Sequence, residues 1–306
     1  MSQIFDTIII GGGPAGLAAA LYGGRARMKT LILERAKYGG QAATTEEMEN
    51  YPGAVEGGTK ELIERMRSQA EEFGAEFIKD EVVDMKLEGD VKTLVGRSGE
   101  YQGKTIIIAT GANPRLGGFT NEIELRGKGI SYCATCDADF FTELDVAVVG
   151  GGDSALDEAL YLTKFAEKVT VIHRRDEFRA NKAVQERVFA NDKIEVIWDT
   201  VVEEAIDDDG ILGGLKLKNK KTGEESELDV QGCFVFVGFV PNSKLFEGKV
   251  EMNEKGEILS DTEMRTNIPG VFVAGDVREK SLRQVITACA DGAIAATQAE
   301  HYVVSH

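Results

Sequence analysis

The sequence predicts an α/β protein built from two Rossmann-like nucleotide-binding domains, the second inserted into the first. Two stretches carry this prediction, TIIIGGGPAGLAAALY at 7–22 and VAVVGGGDSALDEALY at 146–161. Each has a β-branched apolar run, a glycine triplet and an alanine- and leucine-rich helical pattern. A second apolar run follows at the same distance in both, at 30–33 and 169–172. Strand, glycine turn, helix and strand form a βαβ unit, and here the unit occurs twice.

The first unit carries a complete dinucleotide-binding fingerprint. Gly11, Gly13 and Gly16 have the G-x-G-x-x-G spacing, which allows a tight turn and lets the backbone approach a pyrophosphate at the helix N-terminus. Glu34 ends the second apolar run, where a carboxylate can accept hydrogen bonds from ribose hydroxyls. The alternative is a βαβ unit with an incidental glycine turn, which two copies in one chain disfavour.

The second unit differs at the end of its second strand. The position equivalent to Glu34 holds His173, the first residue of HRRDEFRA, and three arginines follow at Arg174, Arg175 and Arg179. A carboxylate here would repel a 2′-phosphate, whereas guanidinium groups bind one well. The second unit is therefore interpreted as an NADPH site, with a solvated basic patch as the alternative.

The stretch SYCATCDADFF contains Cys133 and Cys136, with Asp137 directly behind them. A structural zinc needs four ligands, and neither Cys233, Cys289 nor the three histidines stand at ligand spacing, so no metal is expected. Two inert core cysteines are a further alternative, although the adjacent carboxylate would be costly to bury unpaired. The pattern favours a redox-active disulfide pair.

A redox disulfide also indicates which cofactor the first unit holds. That unit is either a second nicotinamide site or an FAD site. A nicotinamide delivers hydride but does not readily pass electrons to a disulfide, whereas a flavin does both. FAD is therefore assigned to the first unit.

The remaining patterns predict a discontinuous first domain. Three further apolar runs, TIIIATG, CFVFVG and GVFVAG, end in glycine where ligands usually meet an α/β sheet. Two linker-like segments, ANPRLGG and VPNSK, separate them. We expect an FAD-binding domain formed by 1–113 and 245–306, and an NADPH-binding domain carrying the CxxC at 114–244. Each is expected to have the three-layer ββα form.

The chain's size and charge exclude several function classes. At roughly 100–200 residues per domain, 306 residues predict two domains. A net charge of −17 repels a phosphate backbone, so nucleic acid is not an expected partner. With no signal-peptide pattern and no run of roughly 20 apolar residues, we expect a cytoplasmic protein with no membrane partner.

Several motifs together resemble the low-molecular-weight thioredoxin reductases, an NADPH- and FAD-dependent group of pyridine nucleotide-disulfide oxidoreductases. They are GGGPAG (11–16), GGQAATTEEMENYPG (39–53), ATGANPR (109–115), CATCD (133–137), GGGDSA (150–155), HRRDEFRA (173–180) and AGDVREKSLRQV (274–285). The resemblance covers essentially the whole chain. It implies a homodimer that passes electrons from NADPH through FAD to the Cys133–Cys136 disulfide, and on to thioredoxin or a thioredoxin-like protein.

The resemblance also implies roles for individual residues. The FAD contacts are expected at Gly11, Gly13, Gly16, Glu34, Gln41, Asn50, Asp276, Arg283 and Gln284. The NADPH contacts are expected at Gly152, Ser154, Arg174, Arg175 and Arg179. Cys136 is expected to face the flavin, and Asp137 then serves as the general acid–base group that protonates a departing thiolate. A helix-capping or turn role for Asp137 is the alternative.

Other functions stay open on sequence alone. The nearest is the same chemistry with another acceptor, such as a peroxiredoxin system. A flavin reductase without a disulfide step, such as a ferredoxin–NADP reductase, and a non-enzymatic nucleotide sensor are the others. CATCD argues against both of these.

Overall fold

The computed structural model describes residues 3–44, 48, 51–53 and 58–306. The chain divides into two compact units, Met1–Asn113 with Val240–His306, and Pro114–Phe239. The chain returns from the second unit to the first between residues 239 and 240, at the start of the VPNSK segment. This boundary lies a few residues before the expected position at 244–245.

The secondary structure alternates strands and helices in both units. The strands are β1 (Ile4–Ile10), β2 (Thr30–Glu34), β3 (Glu76–Lys79), β4 (Val82–Lys86), β5 (Lys92–Gly96), β6 (Glu100–Ile108), β7 (Ala112–Pro114), β8 (Ile130–Ser131), β9 (Asp145–Gly150), β10 (Lys168–Ile172), β11 (Ile194–Ile197), β12 (Thr200–Asp208), β13 (Ile211–Asn219), β14 (Glu225–Leu228), β15 (Gly232–Phe236), β16 (Phe239–Pro241) and β17 (Val271–Val273). The α-helices are α1 (Pro14–Arg25), α2 (Gly58–Glu72), α3 (Ala134–Asp137), α4 (Asp153–Leu162), α5 (Lys182–Phe189) and α6 (Val285–Ser305).

The first unit is built on one mixed sheet. Strands β3, β2, β1 and β6 lie side by side in parallel, and β17 pairs with the second half of β6, also in parallel. The antiparallel strands β5 and β4 continue from the first half of β6. Alternate side chains of a strand point to opposite faces. Accordingly Ile9 packs with the helices α1, α2 and α6, and Ile8 and Ile10 pack with β4 and β5.

The second unit repeats this arrangement. Its sheet has the order β11, β10, β9, β15, β8, and every pairing in it is parallel. Val146 and Val148 of β9 face α4 and α5, whereas Ala147 faces the antiparallel strands β12 and β13. Each unit therefore has helices on one face of a parallel sheet and antiparallel strands on the other. The predicted α/β class with two Rossmann-type units is confirmed.

The βαβ unit predicted from the repeated sequence occurs in both places. β1, α1 and β2 form the first copy, and β9, α4 and β10 form the second, with parallel strands in each. In the first copy α1 also lies close to α6, since a Cβ on Gly292 would come within 2.1 Å of the Ala15 carbonyl oxygen. None of the helices that the structure describes combines the length and the apolar character needed to cross a bilayer.

Candidate functional site

The parallel strands bring the first fingerprint and the C-terminal segment to one edge of a sheet. β1, β2, β6 and β17 all end at this edge, because they are parallel neighbours. The glycine turn follows β1, Glu34 ends β2, and Asp276 follows β17. Gly275 lies against α1, where its Cβ would come within 2.9 Å of that of Ala15. Ligands of α/β sheets bind at this edge.

The glycines of the first turn differ in the space around them. Gly11 has φ of +111°, and a Cβ there would lie 2.4 Å from the Ala109 carbonyl oxygen. A Cβ on Gly16 would lie 1.9 Å from the Gly11 carbonyl oxygen. Gly13, the N-terminal cap of α1, is different, because the one described atom that its Cβ would meet within 4 Å is the Gly40 Cα, at 3.9 Å. Gly11 and Gly16 thus let the backbone pack, and Gly13 leaves room beside the helix N-terminus for a phosphate.

Glu34 is fixed against the same turn. Its Oε2 accepts a hydrogen bond from the Gly12 amide at 2.6 Å, and its Oε1 accepts one from the Ala36 amide at 2.7 Å. The carboxylate therefore stands beside the phosphate-binding turn, where ribose hydroxyls of a bound dinucleotide are expected.

Asp276 supplies a buried acceptor at this edge. Its Oδ1 is buried and has no hydrogen-bond partner among the described residues. Burial raises the pKa of Asp276, while the nearby charges of Lys280 and Arg283 lower it in part. A buried acceptor without a donor is costly, and a ligand hydroxyl would satisfy it. The residues present therefore fit a dinucleotide with a polyhydroxyl chain.

The other predicted first-domain contacts have varied surroundings. Gln41 is exposed, and its Nε2 donates to Oδ1 of Asn113 at 2.6 Å. Arg283 donates from Nη2 to Oε1 of Glu257. Gln284 caps α6 in a reciprocal capping box with Thr287. Asn50 lies outside the described residues.

In the second unit the glycine turn is again open where a phosphate would bind. A Cβ on Gly150 would lie 2.6 Å from the Phe236 carbonyl oxygen, but a Cβ on Gly152 would meet no atom of the described residues within 4 Å. Ser154 is exposed in the first turn of α4. The open side of the turn is therefore at Gly152, as in the first copy at Gly13.

The three predicted arginines lie in the loop after β10. Arg174, Arg175 and Arg179 are exposed, and within the described part of the chain no carboxylate pairs with them. The Arg179 amide donates to the Gly151 carbonyl oxygen at 2.8 Å, which ties this loop to the glycine turn. Exposed guanidinium groups beside an open phosphate-binding turn fit a nucleotide with a further phosphate.

The CxxC pair lies at the same edge of the second sheet. β8 ends at Ser131, and the chain turns into α3, of which Cys133 is the N-terminal cap. Cys133 and Cys136 form a disulfide with a Cα–Cα distance of 5.3 Å, and both are partly exposed. The order β8, β15, β9, β10 separates the cysteines from the arginine loop by three strand spacings, or about 14 Å.

Asp137 is held by a residue that the sequence did not single out. Ser131 Oγ donates to Asp137 Oδ2 at 2.5 Å and accepts from the Cys133 amide at 3.1 Å. Burial raises the pKa of Asp137 above its ordinary value, although the Ser131 hydroxyl and the charge of Arg126 oppose this. Asp137 is thus a carboxyl with a raised pKa next to Cys136 in the chain, and its side chain gives the following helical turn no capping hydrogen bond.

The remaining cysteines have structural surroundings. Cys233 is fully buried in β15, and burial raises the pKa of its thiol. Burial also raises the pKa of Cys289 to about 11. Neither thiol is therefore a thiolate at neutral pH. Within the described ranges no group of three or more His, Cys, Asp or Glu side chains could hold a metal ion.

Comparison with known proteins confirms the resemblance. Residues 5–292 match the family model described as pyridine nucleotide-disulphide oxidoreductase. The thioredoxin reductase of Peptoclostridium acidaminophilum is 55% identical over 310 residues, covering 99% of this chain and 98% of that protein. That of Bacillus subtilis strain 168 is 46% identical over 98% of this chain and 95% of its own. The crystal structure of thioredoxin reductase from Streptococcus pyogenes MGAS5005 aligns with a TM-score of 0.93 at 44% identity, covering both chains completely. The chain therefore belongs to the pyridine nucleotide-disulphide oxidoreductases, and within them to the thioredoxin reductases.

Proposed function

We propose that this protein is a thioredoxin-disulfide reductase that passes electrons from NADPH through FAD to the Cys133–Cys136 disulfide, and from there to thioredoxin or a thioredoxin-like protein. The observation that carries the proposal is the Cys133–Cys136 disulfide, which Asp137 directly follows. The glycine turn with its neighbouring arginines lies at the same edge of the sheet. The names of the relatives support the same activity.

FAD is proposed for the first unit. Gly11, Gly13 and Gly16 would line the pyrophosphate, and Glu34 would accept from ribose hydroxyls. Asp276 would receive a hydroxyl of the flavin's polyhydroxyl chain, which its buried, unpartnered Oδ1 favours. Gln41, Asn50, Arg283 and Gln284 complete the proposed set.

NADPH is proposed for the second unit. The pyrophosphate would lie at Gly152 and Ser154, where α4 begins and the turn is open. The 2′-phosphate would be held by Arg174, Arg175 and Arg179, which are exposed on one loop. This assignment predicts a preference for NADPH over NADH, because a nucleotide without the 2′-phosphate leaves those charges unpaired.

A carrier between the nicotinamide and the disulfide follows from the chemistry. FAD, when bound, would supply the two-electron link between a hydride donor and a disulfide.

The residues of the cysteine loop supply the protons and the exchange chemistry. Reduction of the Cys133–Cys136 disulfide takes two electrons and two protons, and breaks the S–S bond. One thiolate then attacks the disulfide of the partner, and the second cysteine resolves the mixed disulfide, which leaves the partner as a dithiol. Asp137, whose pKa burial raises, can protonate a departing thiolate, and Ser131 holds it in place. Thioredoxin, at about −270 mV, is a suitable acceptor.

The proposal extends to assembly and location. It includes a homodimer in the cytoplasm and no nucleic-acid or membrane partner. The net charge of −17 supports the absence of a nucleic-acid partner. Light scattering on the purified protein, which distinguishes 33.2 kDa from twice that mass, tests the dimer.

The electron path is tested by mixing the purified protein anaerobically with NADPH and recording the flavin spectrum before and after an acceptor is added. Oxidised thioredoxin and a peroxiredoxin are supplied in separate samples. We expect bleaching by NADPH and recovery with thioredoxin, and no recovery with thioredoxin for Cys136→Ser. Cys233→Ala, which alters only a buried thiol, is the matched control and should behave as the wild type. If the flavin spectrum recovers with the peroxiredoxin and not with thioredoxin, the acceptor is a peroxiredoxin system and not thioredoxin. If NADPH does not bleach the flavin, the proposed electron path is refuted.

A further inference from the structure

His173 lies between the two segments that would hold the NADPH phosphates. Its Nδ1 is 3.0 Å from the Gly150 carbonyl oxygen at the start of the glycine turn. Its Nε2 is 3.0 Å from the Glu177 carbonyl oxygen in the arginine loop. The ring is 5% exposed. One side chain therefore bridges the glycine turn and the arginine loop.

The two contacts together demand two protons on the ring. A backbone carbonyl oxygen only accepts hydrogen bonds, so each ring nitrogen must donate to make its contact. Neutral imidazole has one N–H, and imidazolium has two. With a neutral ring, one contact would set a nitrogen lone pair against an oxygen lone pair. The geometry of the two contacts is therefore that of a protonated ring, and a neutral ring can hold only one of the two segments by a hydrogen bond.

The charges around the ring oppose that protonation before any nucleotide binds. Burial lowers the pKa of His173, the two carbonyl contacts raise it, and the charges of Arg175 and Arg174 lower it again. The other faces are aromatic, with Phe178 at 5.4 Å and Trp198 at 6.1 Å between ring centroids. The net shift of the pKa of His173 is downward, so burial and the two arginine charges together oppose the protonated ring.

Two carboxylates on segments near the ring are bonded elsewhere. Asp153, at the start of α4, accepts from the amide and side chain of Asn181 at 2.8 Å. Asp199, before β12, pairs with Lys221 at 3.1 Å. In the arginine loop, Asp176 pairs with Lys221 at 2.7 Å and Glu177 is exposed. A ligand phosphate on the arginines would add a negative charge beside the ring.

We infer that His173 is a positioning residue of the nucleotide site, and that it binds a proton when a nucleotide with a 2′-phosphate binds. The inference rests on the proposed NADPH site. A phosphate on Arg174 and Arg175 neutralises the two charges that oppose the imidazolium. The protonated ring then donates to both carbonyl oxygens and closes the bridge around the ligand. Proton binding and nucleotide binding strengthen each other by the same factor.

The turn leaves space for the ring only because residue 151 is glycine. A Cβ on Gly151 would lie 2.2 Å from Nδ1 of His173. In the first copy the equivalent residue, Gly12, instead donates its amide to Glu34. The close approach of ring and turn is thus built into the backbone of the second copy.

The proton can be counted by calorimetry. The flavin-loaded protein is titrated with 2′,5′-ADP in buffers of different ionisation enthalpy, at pH values from about 6 to 8 around the ordinary histidine pKa of about 6.5. The 2′-phosphate has its own pKa near 6 and releases protons when it binds to arginine. This release opposes the proton uptake expected at His173 and has to be subtracted. His173→Gln isolates the contribution of the ring, because the glutamine amide can still donate to a carbonyl oxygen but does not titrate. We expect the wild type to take up as much as about one proton more per nucleotide than His173→Gln, and its affinity to fall more steeply with rising pH.

A second measurement needs no variant. The chain has three histidines, His173, His301 and His306, and the last two lie at the C-terminal end. In protein labelled with ¹³C at histidine Cε1, 2′,5′-ADP should move the His173 resonance toward the imidazolium position, while 5′-ADP should not. If 2′,5′-ADP binds but the ring stays neutral and the two proteins take up equal numbers of protons, the inference is wrong and the NADPH site stands. If 2′,5′-ADP binds no better than 5′-ADP, the proposed NADPH site fails, and the inference fails with it.

Discussion

The hydroxyl of Ser131 should set the proton affinity of Asp137. In the structure this hydroxyl donates to the carboxyl at 2.5 Å. It lowers the pKa of Asp137, against the larger effect of burial, which raises it. A donor to the charged form of an acid lowers its pKa. The substitution Ser131→Ala removes that donor and leaves the burial in place. Asp137 should therefore retain its proton to a higher pH than in the wild type.

The size of the effect follows from the kind of hydrogen bond. A hydrogen bond to a charged group contributes about 1.5–3 kcal/mol. One pKa unit corresponds to about 1.36 kcal/mol. Loss of the Ser131 hydroxyl should therefore raise the pKa of Asp137 by about one to two units, and water entering the partly exposed site would bring the shift toward the lower figure.

The assay is the pH dependence of a single turnover. Protein reduced at Cys133 and Cys136 is mixed with oxidised thioredoxin, and the rate of dithiol oxidation is recorded at each pH. The step that needs the neutral form of Asp137 slows as the pH rises through its pKa. This alkaline limb should move upward by about one to two pH units in Ser131→Ala. Asp137→Asn should abolish the limb, which identifies it.

The conservative variant Ser131→Thr provides the matched control. It retains a hydroxyl on the same strand end, so its alkaline limb should stay within a few tenths of a pH unit of the wild type. The reasoning is refuted if Ser131→Ala leaves the limb unmoved although Asp137→Asn abolishes it. In that case the hydrogen bond orients the carboxyl without changing its proton affinity.

Three further predictions follow from other parts of the two units. Gly16→Ala puts a Cβ 1.9 Å from a backbone oxygen and should destabilise the first unit by about 1–3 kcal/mol in thermal unfolding. Gly152→Ala, whose Cβ has no atom of the described part of the chain within 4 Å, should unfold like the wild type and weaken NADPH binding. Glu122→Gln should lower the melting temperature by roughly 2–10 °C, because the buried carboxylate accepts three hydrogen bonds. The matched change Glu124→Gln, at an exposed side chain, should leave the melting temperature unchanged. Arg175→Ala should raise the KM for NADPH about tenfold or more and leave that for NADH unchanged, and equal changes for both cofactors would contradict the 2′-phosphate assignment.

The parts that the sequence predicted are those that depend on short-range backbone requirements. Gly11 and Gly16 are needed because neighbouring backbone oxygens leave no space for a Cβ, and such a requirement is visible as a spacing. Apolar runs predict buried parallel strands for a similar reason, since both of their faces are covered. The turn, the strands and the disulfide spacing could therefore be inferred before the structure was known.

What the sequence did not predict depends on contacts between separate segments. Ser131 bonds Asp137 only because β8 ends and the chain turns back into α3. Glu122 receives the amides of Gly117 and Gly118 and the hydroxyl of Tyr132, and nothing in the spacing of these residues indicates it. Such polar contacts have no periodicity, because they join atoms whose separation is set by the tertiary fold. The individual cofactor contacts remain predictions.

The two copies of the βαβ unit differ most at the residue that ends the second strand or directly follows it. In the first copy this residue is Glu34, an acceptor, and it binds the Gly12 amide at 2.6 Å. In the second copy it is His173, whose ring meets the Gly150 carbonyl oxygen at 3.0 Å and must donate there to bond. The hydrogen bond to the glycine turn has thus reversed its direction, and the charge that the site can carry has changed from negative to positive. A carboxylate at this position suits an uncharged ribose diol, whereas an imidazolium among arginines suits a phosphate on the same oxygen. The two copies thus share one backbone but differ in the charge of the side chain at this position, and this is one of the differences on which the proposed FAD and NADPH assignments rest.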